Sequence, residues 1–232
     1  IMPSLVGSEM CIRDRIYLCY AIMIIVPYLL CGINTAIIVT KIKTGEDIRT
    51  LGSGNAGLTN TLRTQGKIAA LFVLLGDVLK GTLSILIVRF SFLWLTGTDT
   101  ANPDNMMTYV GFAAAVAAII GHVFPIYFGF KGGKGILVSV AVLMTVEWIP
   151  ACILLGIFII VVALTRYVSL GSCIAAVCYP VTILVYSLIT GDPCVWINVI
   201  LSALIAVLIL FMHRGNLVRL KNHTEKKLGQ KA

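Results

Sequence analysis

The stretch Leu51–Arg63 (LGSGNAGLTNTLR) concentrates groups that bind anions. Its glycines, Gly54 and Gly57 among them, let backbone N–H groups approach an anion closely. Ser53, Asn55, Thr59 and Asn60 add side-chain donors, and Arg63 adds a planar fork that matches a phosphate. A helix starting near Thr59 or Asn60 would put Arg63 one turn in. It would also aim free N–H groups and the positive end of its dipole at the same anion. A mere connector would need the glycines but not the donors.

A second stretch, Gly121–Gly135 (GHVFPIYFGFKGGKG), repeats the recipe. Gly132, Gly133 and Gly135 surround Lys134, so backbone amides can cradle a phosphate with Lys131 and Lys134 as charges. It is not a nucleotide P-loop, because Gly135 stands where a magnesium-binding hydroxyl residue is needed. His122 reads as a general base, a phosphate donor or a structural histidine at a helix end. Arg166–Ser172 offers Ser169 and Ser172 as donors, although Ser169 also suits a helix cap. His213 and Asn216 open a basic tail that also suits interfacial anchoring. Asp77 and Lys80, inside an apolar run, share one helix face at i, i+3. Charges at such depth are functional candidates by default. This pair reads either as a buried structural pair or as support for the first loop. Two phosphate-type loops in one small chain point to chemistry on a phosphorylated substrate at a bilayer surface.

The elements that hold these loops must be membrane helices. Of 232 residues, 59% are hydrophobic and only 12% charged, against about 25% charged in soluble domains. The apolar residues fall in long runs, which predicts an all-α polytopic membrane protein with about seven transmembrane helices. The expected spans are Ile16–Val39, Ile68–Val88, Thr108–Pro125, two short ones within Ile136–Leu164 divided at Glu147–Pro150, Leu170–Thr190 and Val195–Phe211. Residues 16–232 form one domain in this reading. Residues 1–15 are set apart, because Leu5–Arg15 resembles the translation of a transposase-type sequencing adapter. No signal peptide is evident, since the next apolar run is too long and lacks a cleavage site. The net charge of +8 fits basic cytoplasmic loops better than nucleic-acid binding. Basic residues fill loop 40–67, loop 126–135, Arg166 and the tail, whereas Asp99, Asp104, Glu147 and Asp192 mark the intervening loops, with Arg89 near an outer boundary the one basic exception. That alternation places both glycine loops and the C-terminus in the cytoplasm and the N-terminus outside. The cysteines show no metal spacing and read as small apolar residues. They therefore suggest no metal site.

These residues closely resemble the bacterial membrane glycerol-3-phosphate acyltransferases that use acyl phosphate. Ser53 through Arg63 fits their pattern S-G-N-x-G-x-T-N-x-x-R. Gly121 through Gly135 fits G-H-x-F-P followed by F-K-G-G-K-G. His213, Arg214, Asn216, Thr224 and Glu225 fit H-R-x-N followed by T-E, with His223 standing where glycine is expected. The likeness runs over about 16–232. It implies a seven-span fold at the inner membrane with cytoplasmic active-site loops. It also implies acyl transfer from acyl phosphate to glycerol 3-phosphate, giving 1-acylglycerol 3-phosphate and phosphate for phospholipid synthesis, with no cofactor or metal required because the mixed anhydride is already activated. Ser53, Arg63, Lys134, His213 and Asn216 would hold the polar substrates, with the second loop as the glycerol-phosphate site and Glu225 structural. The proton acceptor stays open among His122, His213 and the donor's phosphate. The N-H-x-x-x-x-D box of coenzyme-A-dependent acyltransferases is absent, with Tyr127 five positions after His122. The competing class is a small transporter of an organophosphate or phosphate anion. No internal repeat supports it, and transporters usually carry one. A third reading, a membrane anchor or assembly subunit, leaves the polar loops unexplained.

Overall fold

The computed structural model describes residues 2–102 and 104–230, and side chains from residue 13 onward. The described residues are helical, with no strand. In order the helices are α1 (Met2–Gly32), α2 (Thr35–Thr44), α3 (Leu58–Gln65), α4 (Lys67–Thr96), α5 (Tyr109–Val123), α6 (Ile136–Val146), α7 (Trp148–Thr165), α8 (Val168–Thr190), α9 (Val195–Met212) and α10 (Arg214–Lys221). Helices are the only open-ended elements that satisfy every backbone group in hydrocarbon. Six runs among the described residues are long and apolar enough to span, with Arg13–Thr44 counted as one. The seventh apolar helix, α6, has only 11 residues, about 16 Å at 1.5 Å per residue. The segment 1–15 falls largely outside the described side chains, and the backbone of residues 2–15 is the start of α1.

α5 is the central post. Its most apolar window is 67% buried, against 17–39% for the other spans. Small residues along it let neighbours approach closely. At Gly121 a methyl group would lie 2.1 Å from the carbonyl oxygen of Tyr28 in α1.

Two departures from the expected spans matter for the site. The first span is not continuous. It breaks at Ile33–Asn34, where the Asn34 side chain accepts a hydrogen bond from the Ile37 N–H at 3.1 Å and caps α2. The break frees the Ile33 carbonyl, which accepts from Lys80 Nζ at 2.8 Å. Lys80 is ion-paired with Asp77 at 2.8 Å, and Thr35 donates to Asp77 at 3.0 Å. The intramembrane pair thus ties the broken helix to α4. The second departure is α4, which runs on to Thr96 beyond the expected end at Val88. Arg89 therefore lies within it rather than in a loop. It donates to the carbonyls of Thr145 and Val146 at 2.6 and 2.9 Å. Those carbonyls are the unpaired end of α6, so Arg89 stabilises the division at Glu147. At the same end, Asp192 accepts from Thr108 and Asn198 at 2.8 Å each, joining the starts of α5 and α9.

Candidate active site

Both glycine loops, the start of α8 and the C-terminal tail gather at one end of the bundle around a single cavity of about 620 Å³. Its mouth is polar, with Ser53, Asn55, Gly57, Thr59, Arg63, Lys134, Gly135, His213 and Asn216 among the lining residues. Its depth is apolar, lined by Val140 and Leu143 of α6, Leu154 and Phe158 of α7, and Ala176 and Tyr179 of α8.

The first loop is pinned from within. Asn60 is buried; its side chain accepts from the Ser53 N–H at 2.9 Å and donates to the carbonyls of Leu51 and Ile48 at 2.9 and 3.3 Å. Its amide is thus spent on shaping the loop. The glycine turn ends at Gly57 and α3 begins at Leu58, which brings Arg63 to the cavity wall. Arg63 is half-buried and makes no hydrogen bond or ion pair with the described residues. Charge normally finds a partner when withdrawn from water, so this guanidinium is poised for a ligand.

The second loop folds back onto the end of α5. Gly132 N–H donates to Val123 O at 3.0 Å and Gly133 N–H to His122 O at 3.3 Å. The gap is tight: a methyl group on Gly133 would lie 2.3 Å from His122 Nε2 and 2.5 Å from Ala56 O of the first loop. Lys134 turns into the cavity, while the Lys131 side chain is exposed and does not line it. Gly54, Gly132 and Gly133 shape the loops without lining the cavity. Arg49 buckles the loops together. It binds Asp47 through both carboxylate oxygens and donates to the carbonyls of Phe128 and Lys131 at 2.8 and 3.0 Å. The acidic-basic spacing of Asp47 and Arg49 was the only sequence signal for it.

The tail closes the third side. After α10 the backbone reverses at His223, whose φ of 56° lies in the left-handed region that favours glycine. This explains the glycine expected there. The turn delivers Glu225 to a hub where Asn216 Nδ2, Ser169 Oγ and Arg219 Nε donate to it at 2.6, 2.8 and 2.7 Å. Asn216 Oδ1 in turn accepts from Lys134 Nζ. Burial raises the Glu225 pKa, but the donated hydrogen bonds outweigh it and hold the carboxyl below its usual range. Ser172 uses its hydroxyl on Val168 O at 2.9 Å. Arg219, Thr224, Lys226 and Leu228 also line the cavity. Sequence reasoning did not place Arg219, Lys226 or Leu228 there: Arg219 is brought by α10, and only the chain reversal at His223 brings in Lys226 and Leu228.

Two titrations follow. Burial, then the charge of Arg219, pulls Lys134 down to about 8, with Glu225 opposing. Burial pushes His213 down to about 4, so it is neutral at physiological pH. Its Nδ1 lies 2.8 Å from Ile209 O, and a carbonyl can only accept, so Nδ1 carries the proton and Nε2 keeps a lone pair. If Lys134 charge serves anion binding, kcat/KM should be full below about pH 8 and fall above it, as the ammonium deprotonates. A pH–rate profile over about pH 6.5 to 9.5 reads this directly. A flat profile would show that Lys134 charge is dispensable.

The arrangement defines a class: a polytopic helical membrane protein with a polar, basic mouth on an apolar chamber. A family model described as glycerol-3-phosphate acyltransferase matches residues 21–223. The glycerol-3-phosphate acyltransferase of Clostridioides difficile is 41% identical, over 91% of this chain and 97% of its own. That of Syntrophomonas wolfei is 38% identical, over 91% and 98%. The crystal structure of PlsY, an integral membrane glycerol 3-phosphate acyltransferase, in its glycerol 3-phosphate form superposes with a TM-score of 0.74 at 31% identity, covering 89% of this chain and 94% of that one. Its lysophosphatidic acid form gives 0.71 at 29% identity. The chain belongs to the glycerol-3-phosphate acyltransferase family, and with it to phospholipid biosynthesis.

Proposed function

We propose that this cavity transfers a fatty acyl group from acyl phosphate to the sn-1 hydroxyl of glycerol 3-phosphate, releasing 1-acylglycerol 3-phosphate and inorganic phosphate. The observation that carries the reading is one cavity with phosphate-binding groups at its mouth and an acyl-sized apolar depth behind them. An acyl phosphate is a mixed anhydride, already activated, so positioning and charge neutralisation suffice. The hydroxyl oxygen attacks the acyl carbon, and the bond from that carbon to the phosphate oxygen breaks. Arg63 and Lys134 hold phosphate groups, and Asn216 fixes Lys134. The lone pair of His213 Nε2 accepts the hydrogen bond of the attacking hydroxyl and orients it. With a pKa near 4, His213 is a weak base. The departing phosphate, whose second pKa is about 6, is the stronger acceptor and takes the proton. Ser53 and Thr59 add donors from the first loop, and the backbone amides of Lys134 and Gly135, which line the cavity, add more.

The mouth faces the cytoplasm in this proposal, with the N-terminus outside and the protein in the inner membrane. Support comes from the basic loops and tail, which converge at the cavity end. Residues 1–15 are foreign sequence in the same reading. Inverted membrane vesicles carrying the protein should convert added palmitoyl phosphate and glycerol 3-phosphate to lysophosphatidic acid with magnesium chelated. Equal rates with palmitoyl-coenzyme A would overturn the donor, and equal rates in right-side-out vesicles would overturn the orientation.

A further inference from the structure

We propose that Lys80 locks His122 in one tautomer, so that His122 Nε2–H donates a hydrogen bond to a phosphoryl oxygen of bound substrate. His122 is thereby a donor and not the proton acceptor. The inference rests on the proposed reaction for its substrate and on geometry for the rest.

Lys80 Nζ has three neighbours at hydrogen-bond distance: Asp77 Oδ1 at 2.8 Å, Ile33 O at 2.8 Å and His122 Nδ1 at 3.1 Å. An ammonium has three N–H donors and no lone pair. Beside the Asp77 carboxylate Lys80 is that ammonium, and it has one proton for each neighbour. His122 Nδ1 must therefore accept, and a neutral ring that accepts at Nδ1 carries its proton on Nε2. The lock is rigid, because Asp77, Lys80 and His122 are each buried, with exposures of 1%, 6% and 3%. Asp77 is itself held by Thr35.

Nε2 sits at the seam of the two glycine loops. A methyl group on Gly133 would lie 2.3 Å from it, and His122 lines the cavity that Arg63 and Lys134 also line. Nε2 has no hydrogen-bond partner among the described residues. Among the described residues Nε2 is not one of the fully buried unpartnered atoms, so it opens on the cavity, and a phosphate bound there would supply its acceptor. Asp77 and Lys80 are then positioning residues. They act through the imidazole, although Asp77 also borders the cavity.

Asparagine and glutamine separate the two ring nitrogens. In His122→Asn the amide oxygen can replace Nδ1 as acceptor for Lys80, but nothing reaches the Nε2 position. In His122→Gln the amide nitrogen reaches that position as a donor. In purified protein run beside wild type, His122→Asn should raise KM for one substrate about 10- to 100-fold, with kcat largely kept. His122→Gln should stay within about 5-fold. Equal loss in both variants, or a fall in kcat with both KM values unchanged, would overturn the donor role. Nitrogen-15 NMR of histidine-labelled wild-type protein at neutral pH gives a readout independent of activity. It should show His122 neutral with the proton on Nε2. A proton on Nδ1 alone, or on both nitrogens, would refute the lock even if turnover is normal. Absence of turnover in wild type with the tautomer as expected would instead fault the proposed reaction. Asp77→Leu/Lys80→Met removes both charges together and should give mixed His122 tautomers with the same KM rise. An unchanged tautomer there would take Lys80 out of the role.

Discussion

Arg63→Lys should be nearly as inactive as Arg63→Ala. The guanidinium stands at the cavity wall, half-buried, with no hydrogen bond or ion pair to the described residues. Its position, one turn into α3, follows from the glycine turn that ends at Gly57. Nothing among the described residues competes for the fork, so in the proposed reaction its free energy of interaction is spent on the substrate. Lysine keeps the charge but offers a point donor in place of two parallel N–H groups. Losing a charge-assisted contact costs about 1.5–3 kcal/mol, or roughly 10- to 150-fold in kcat/KM. Folding should be little affected, because no hydrogen bond or ion pair among the described residues is lost. Steady-state kinetics after gel filtration in detergent decides the matter. Wild-type rates for Arg63→Lys would remove Arg63 from phosphate binding.

Gly132→Ala should lose about 100-fold in kcat while the protein remains folded. The methyl group would stand 2.0 Å from His122 O and 2.7 Å from Pro125 Cδ. Neither neighbour is the flexible end of a side chain. The carbonyl belongs to the end of α5 and already accepts from Gly133. The loop must therefore move off α5, and Lys134 and the amides beside it move with it. A displacement of about 1 Å in a positioned site is enough for a loss of this size. Gly156→Ala in α7 is the control, since nothing lies within 4 Å of its new methyl group and alanine favours a helix. Activity of Gly132→Ala equal to that control would show that the loop does not position substrate.

Much of the mouth was legible in the chain because its signals are local. Ser53, Asn55, Arg63 and Lys134 lie in short stretches whose residue types fit anions and little else. The division at Glu147 was legible because a charged residue and Pro150 interrupt one apolar block. Hydropathy, however, reports only which residues avoid water. It could not show that the first span breaks at Asn34, since Ile33 and Ile37 on either side are as apolar as the rest. Nor could it show that α4 continues past Arg89, whose partners at Thr145 and Val146 are more than fifty residues away.

Composition, apolar runs and local residue types therefore determined an all-helical membrane protein with two glycine-rich polar loops and a basic tail. Only the tertiary structure decided that these meet on one cavity, that Arg49 buckles the loops and Glu225 gathers the tail, and that Lys80 faces His122. Local preferences depend on neighbours a few residues apart, whereas hydrogen bonds that join residues 42 to 82 positions apart depend on how the helices pack.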